Sequence, residues 1–452
     1  MPTTLKKVSQ FRVLKNILKF VDNPIPVLNG YFEEFGDESY RINLGGMNKI
    51  IVTKDTKLIQ HVLQKNHKNY KKSFIQTDLL AEYLGHGILT TNGKYWLKQR
   101  RLIQPGFHKK ALDSFVRIMK TEIEGHVDEM KEGIQHGNQE FMMLKEMSRL
   151  TLKVVSKTLF STGIKEDEIN ILGDSIDHLQ AVLVQKIRKP MFEWWRELKG
   201  DNKKNKAIAQ ELYDLIMNII KERKSSGENY GDILDMLIAA RYEGTDEGMS
   251  DKQLMDECIV LFVAGYETTA NALAWTFYLL DQNRDQLKKV REEIASIPLD
   301  PDKPMESLMK LDFTRQVISE SMRIYPPAWI TDRESIAKDE CSDLEINGKQ
   351  IINLYIYGVH HDPKHWHNPE QFIPSRFEKD KIKQMEPYTY FPFGGGPRLC
   401  IGNQFAMMEM QLSLYLILQN FDFKVKEGHP IELNPNVTLR SKHGIKMISS
   451  LR

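Results

Sequence analysis

"FPFGGGPRLCIG", residues 391–402, is the stretch whose reading decides the fold. It sets Cys400, one of three cysteines in 452 residues, behind three consecutive glycines, a proline and Arg398. Glycines permit backbone angles and close approaches that a Cβ would block. After Ile401 and Gly402 comes "NQFAMMEMQLSLYLILQ", an amphipathic helical run, so Cys400 precedes a helix N-terminus. Unpaired amides and the positive dipole end at such a terminus favour a thiolate.

The other two cysteines, Cys258 and Cys341, have no comparable surroundings and read as small buried hydrophobes. An odd cysteine number over a long chain is no disulfide framework and fits a reducing compartment, hence the cytoplasm. The 63 Lys and Arg residues against 61 Asp and Glu leave a net charge of +2, so bulk charge names no nucleic-acid or membrane partner. The N-terminus mixes lysines with valines and reads as neither signal peptide nor transmembrane anchor. "CIVLFVAGYETTANALAWTFYLL" (258–280) is long enough to span a bilayer, but Glu267, Asn271 and three threonines inside it argue for a buried central helix.

From Thr56 to Asn283 the hydrophobic period is mostly helical, as in "QELYDLIMNIIKERK". Strand-like runs are few: "SYRINL" before Gly45-Gly46, "KIIVT" after it, and "QIINLYIYG" near Asn353. The expected fold class is mainly α with a small β portion. One domain is expected over 1–452, with a β-rich part at about 36–55 and 330–358 and a helical part at about 56–325 and 400–420.

A held thiolate, the flat ring of Phe393 and the guanidinium of Arg398 together suit an iron porphyrin, with sulfur on the iron and arginine on a propionate. Phe393, Gly396, Arg398, Cys400 and Gly402 resemble the F-x-x-G-x-R-x-C-x-G haem loop of the cytochrome P450 monooxygenases. The resemblance implies the cytochrome P450 fold, a triangular helical domain holding haem b between the long central helix and the cysteine loop and its helix. Elsewhere "ESMR" is similar to the family's E-x-x-R, and implies that Glu320 and Arg323 join Arg376 of "NPEQFIPSRF" in a buried structural charge cluster. Trp96 and Arg100, four apart on one helical face, match the family's W-x-x-x-R. With Arg333 and Arg398 they are the expected propionate ligands.

"AGYETT" in the long helix resembles the family's acid–alcohol motif, with Glu267 and Thr268 as the catalytic pair and Ala264 flat against the haem. Gly265 weakens the helix there, and Thr268 can turn its hydroxyl onto a carbonyl one turn back. The implied activity is insertion of one atom of O2 into a lipophilic substrate by hydroxylation or epoxidation. Protons would pass through water held by Thr268 and Glu267, and electron donation from Cys400 would favour O–O cleavage. The rival functions are a non-catalytic haem-thiolate binding or sensor protein, which needs no proton relay, and a peroxide-driven peroxygenase.

By position relative to these motifs, Phe74, Ile75, Leu80, Ala264, Trp329, Ile330 and Leu439 are expected to line the substrate pocket. They fit a fatty acid or terpenoid, and Lys71 or Lys72 would serve a carboxylate. About fifty residues follow Cys400, so no fused reductase is expected. Electrons would come from NAD(P)H through a reductase and a separate ferredoxin or flavodoxin. Lys94, Lys98 and Arg101, opposite Trp96 and Arg100 on their helix, are expected to dock it, extended by Lys109 and Lys110. "HHDPKHWH" (360–367) tempts a metal reading, but adjacent histidines diverge and no ligand set completes a tetrahedron, so it reads as structural.

Overall fold

The computed structural model describes residues 5–36, 38–43, 50–161, 164–189 and 192–452. Gly45-Gly46, the expected break between two early strands, and the first four residues lie outside the described residues. The chain forms two compact units, neither continuous in sequence. The first takes Met1–Phe74, Ser319–Cys400 and Glu432–Lys442; the second takes Ile75–Ile318, Ile401–Ile431 and His443–Arg452.

The first unit is built on a five-stranded sheet of β1 (Ser39–Ile42), β2 (Ile50–Thr53), β3 (Tyr70–Lys71), β4 (Thr331–Ser335) and β5 (Ile351–Leu354), ordered β1-β2-β5-β4-β3. Its one parallel pair, β2 with β5, sets Ile50 opposite Ile351 and Thr53 opposite Leu354. Successive residues point to opposite faces. Ile50, Val52 and Ile351 therefore join Tyr40, Trp329, Tyr355 and Leu439 in one core, while Ile51, Ile352 and Leu354 join Leu58, Tyr70, Cys341 and Phe391 in the other. The sheet draws on both early and late chain, as the strand-like runs imply.

The second unit is helical. Its elements include α1 (Gly93–Ile103), α2 (Met143–Phe160), α3 (Asp251–Gln282) and α5 (Asn403–Asn420), with α4 (Asp312–Ile324) running on into the first unit. α3 opens on a capping box: the Ser250 hydroxyl accepts from the Gln253 amide and the Gln253 side chain accepts from the Ser250 amide. α3 is long and apolar enough to cross a bilayer, yet 83% of its apolar window is buried, so it is a core helix. A three-stranded sheet of Glu140–Met142, Lys446–Leu451 and Phe421–Val425 completes this unit.

Candidate functional site

In the first unit, Cys400 ends a loop that hydrogen-bonds to itself. The Gly394 amide donates to the Phe391 carbonyl at 2.9 Å, and the Cys400 amide donates to the Phe393 carbonyl at 3.0 Å. Gly396 has φ of +64°, and an ideal Cβ there would lie 1.9 Å from the Leu63 carbonyl oxygen. Only glycine fits that approach. The Cys400 side chain is exposed, whereas Cys258 and Cys341 are buried and burial pushes both thiols up. Of the three sulfurs, that of Cys400 alone is exposed to a ligand.

Two arginines accompany it. Arg333, on β4, is buried, with Nη1 donating to the Asp332 carbonyl at 2.6 Å. Arg398 is half-buried and its basicity is lowered to about 10, first by burial and then by the charge of Arg333. A sheltered guanidinium lowered by burial and by a like charge gains from a nearby anion.

Glu320, Arg323 and Arg376 form a charge cluster in the first unit. Glu320 and Arg323 on α4 are fully buried and paired twice, Nε to Oε2 at 2.7 Å and Nη2 to Oε1 at 2.9 Å. Arg376 Nε adds a third contact at 3.2 Å and the Ile373 amide a fourth at 2.9 Å, both on Glu320 Oε1. Arg323 Nη1 donates onward to the His360 carbonyl at 2.8 Å. Every strong donor and acceptor is met inside the fold, which makes so costly a burial tolerable.

In the second unit, α3 carries the acid–alcohol pair. The Thr268 hydroxyl donates to the Ala264 carbonyl at 2.8 Å, and Thr269 donates to the Gly265 carbonyl at 2.9 Å. The Thr151 hydroxyl of α2 lies 3.0 Å from the next carbonyl, that of Tyr266. Three successive carbonyls thus meet side-chain hydroxyls without breaking the helix. Gly265 does not interrupt α3. It serves packing, since a Cβ there would come within 2.8 Å of Val155 Cγ2 on α2. Glu267 is buried, whereas Ala264 is exposed and Thr268 half-buried on the same helix.

On α1, Trp96 is buried and Arg100 half-buried, with Nε donating to Gln104 at 3.3 Å. Lys94, Lys98 and Arg101 are exposed, as are Lys109 and Lys110. Arg101 meets Glu243 at 3.0 Å and Lys98 lies over the Tyr242 ring at 5.2 Å.

The residues placed at the pocket by position fare differently. Phe74, Ile75, Leu80 and Ile330 are half-buried and Ala264 exposed. Leu439 is fully buried and Trp329 nearly so; both belong to the first unit's core, and Trp329 Nε1 donates to the Asn436 carbonyl at 2.9 Å. Their side chains are taken up by that packing. Lys71 is bound to Glu334 at 3.0 Å and Lys72 is buried, so neither stands ready for a carboxylate at the surface.

The four histidines do not converge. His360 is buried in the first unit, His361 stacks on Tyr357 at 3.9 Å, His365 faces Glu386 at 3.5 Å, and His367 is exposed. No cluster of His, Cys, Asp and Glu among the described residues has metal-holding geometry. What the sequence reading missed is His360 itself, whose Nε2 accepts the Phe391 amide at 3.1 Å.

In the first unit an exposed sulfur on a glycine-shaped loop and sheltered cations suit an iron porphyrin with carboxylates; in the second, a helix carries an exposed small residue and a hydroxyl. Comparison agrees: the family model Cytochrome P450 matches residues 8–447, and the chain belongs to that family. It is 32% identical to cytochrome P450 4A10 of Mus musculus, over 81% of this chain and 75% of that one. It is 28% identical to cyclooctat-9-en-7-ol 5-monooxygenase of Streptomyces melanosporofaciens, over 78% and 75%. Protein LUTEIN DEFICIENT 5, chloroplastic, of Arabidopsis thaliana is 27% identical over 100% and 82%. The chain is accordingly a monooxygenase of the cytochrome P450 class, with haem iron as its cofactor.

Proposed function

We propose that the chain binds haem b and uses O2 to hydroxylate or epoxidise a lipophilic molecule of the fatty-acid or terpenoid kind. Electrons would come from NAD(P)H through a separate ferredoxin or flavodoxin. The carrying observation is Thr268, hydrogen-bonded to Ala264 at 2.8 Å, beside the buried carboxylate of Glu267 on one helix. A carboxylate buried without function is costly, and a merely binding protein gains nothing from it.

Bound haem supplies the capacity to activate O2. The chain's own residues do the rest. Cys400 would hold the iron through sulfur, with the loop hydrogen bonds positioning its backbone. Arg333 and Arg398 would receive a propionate, and the family resemblance gives Trp96 and Arg100 on α1 the same role. Thr268 Oγ1 would order a water, and the carboxyl of Glu267, the preceding residue, would supply protons to that water. Half-buried Phe74, Ile75, Leu80 and Ile330 give a lipophilic molecule apolar contact. Relatives of Arabidopsis thaliana are named carotene epsilon-monooxygenase and cytokinin hydroxylase, which supports oxygenation of an organic substrate. The exposed cations of α1 support docking of an acidic carrier. Three cysteines without a disulfide support a cytoplasmic setting.

The test is turnover with isotopically labelled O2, a surrogate carrier and a lipophilic library ranked by spectral titration. Label in the product supports monooxygenation. No labelled product from O2 and a carrier while peroxide yields product, or no product from any spectrally bound ligand, overturns it in favour of a peroxygenase or a binding protein.

A further inference from the structure

His360 lies at the end of the short helix Ile356–His360 and is fully buried. It is held at its carbonyl and at one ring nitrogen. Its carbonyl accepts from Arg323 Nη1 at 2.8 Å, and Arg323 is itself fixed by two bonds to Glu320. Its ring nitrogen Nε2 accepts from the Phe391 amide at 3.1 Å. The ring stacks on Tyr390, centroids 5.4 Å apart, and meets the Phe391 ring edge-on at 5.7 Å. Because Nε2 accepts from an amide, it carries no proton, and burial holds the imidazole well below its ordinary basicity.

Phe391 is where the cysteine loop begins. The Phe391 carbonyl takes the Gly394 amide, and the Phe393 carbonyl takes the Cys400 amide. Holding the Phe391 amide therefore holds the residue from which the first turn of the loop starts, and through that turn the backbone leading to Cys400.

We propose that His360 is a positioning residue for the haem thiolate, its Nε2 gripping the Phe391 amide while its carbonyl is anchored by Arg323, so that the Glu320 cluster holds the Cys400 loop in register. Arg323 touches the loop nowhere in this chain of bonds; His360 transmits its hold. The inference rests on Cys400 as the haem ligand. If the wild-type reduced, carbon-monoxide-bound protein lacked the red-shifted Soret band of a thiolate-ligated haem, that reading would fail before any His360 variant was made.

The experiment compares His360→Phe, which keeps a stacking ring without an acceptor, with His360→Gln, which returns an acceptor near the position of Nε2. In each holoenzyme the thiolate Soret band is followed under mild warming, with far-UV circular dichroism recording helix content. The Phe variant should lose the thiolate band about tenfold faster than wild type while its helices persist, because a buried donor is left unmet. The Gln variant should recover most of that loss. Equal behaviour of Phe and wild type, equal behaviour of Phe and Gln, or band loss only together with helix loss, would each overturn the proposal. Should the Phe variant not fold, hydrogen exchange on wild-type holoenzyme decides. The Phe391 amide must exchange as slowly as amides of the sheet core, and exchange as fast as in exposed loops refutes the grip.

Discussion

The guanidinium of Arg398 is brought down to about 10 by burial and by the charge of Arg333 beside it. An anion between two such groups relieves both. Haem whose carboxylates are esterified should therefore bind more weakly than haem. Each charged hydrogen bond lost is worth about 1.5–3 kcal/mol, or roughly ten- to a hundredfold in affinity. Titration of the apoprotein with haem and with its dimethyl ester measures the difference. Equal affinity would remove Arg333 and Arg398 from the propionates.

Thr268→Ala should bind substrate and accept electrons as before but lose its ordered water. Product per electron should fall by up to about a hundredfold, the range of a lost proton-transfer group, and hydrogen peroxide should rise to match. Thr268→Ser, which keeps the hydroxyl, should recover most of the coupling. Peroxide assay beside product analysis reads both, and unchanged coupling in the Ala variant excludes the relay.

Glu320→Gln strands Arg323, fully buried, and Arg376 together. Breaking a buried pair from one side costs about 3–5 kcal/mol, a large part of ordinary stability. Holo-protein yield and melting temperature should both drop. Normal values for both would show that the cluster is not needed for folding.

Charge reversal at Lys98 and Arg101 should slow reduction by an acidic carrier and flatten its dependence on salt. The pairing of Arg101 with Glu243 is exposed at both ends, so its loss should cost little stability. Peroxide-driven turnover is the control. If carrier-driven and peroxide-driven rates fell together, the variant would have damaged the haem site and not a docking face.

The cysteine loop, the acid–alcohol helix and the Glu320–Arg323–Arg376 cluster were legible because each compresses its chemistry into a few residues at fixed spacing. The sheet was legible at Ile50–Thr53 and Ile351–Leu354, where apolar β-branched residues run together. Shorter strands escaped. Leu433–Pro435 pairs with Leu439–Ser441, and Lys446–Leu451 lies between two partners from distant chain, pairings that no local pattern announces. That same hairpin drew Leu439 into the core. Gly265 read as a helix weakness because the close approach of Val155 is a tertiary fact. His360 was one of four histidines in a row of eight; what sets it apart is an amide 31 positions along the chain.

The Thr268 hydroxyl has one hydrogen, and it is spent on the Ala264 carbonyl. What remains at Oγ1 is lone pairs. The side chain can greet an O–H or N–H but has nothing to offer a bare acceptor. The hydroxyl therefore acts as a filter of polarity: water and other hydrogen-bearing species gain a bond at this spot, while an aprotic molecule gains none. Threonine here gives the helix a direction, and that direction is set by the backbone one turn earlier.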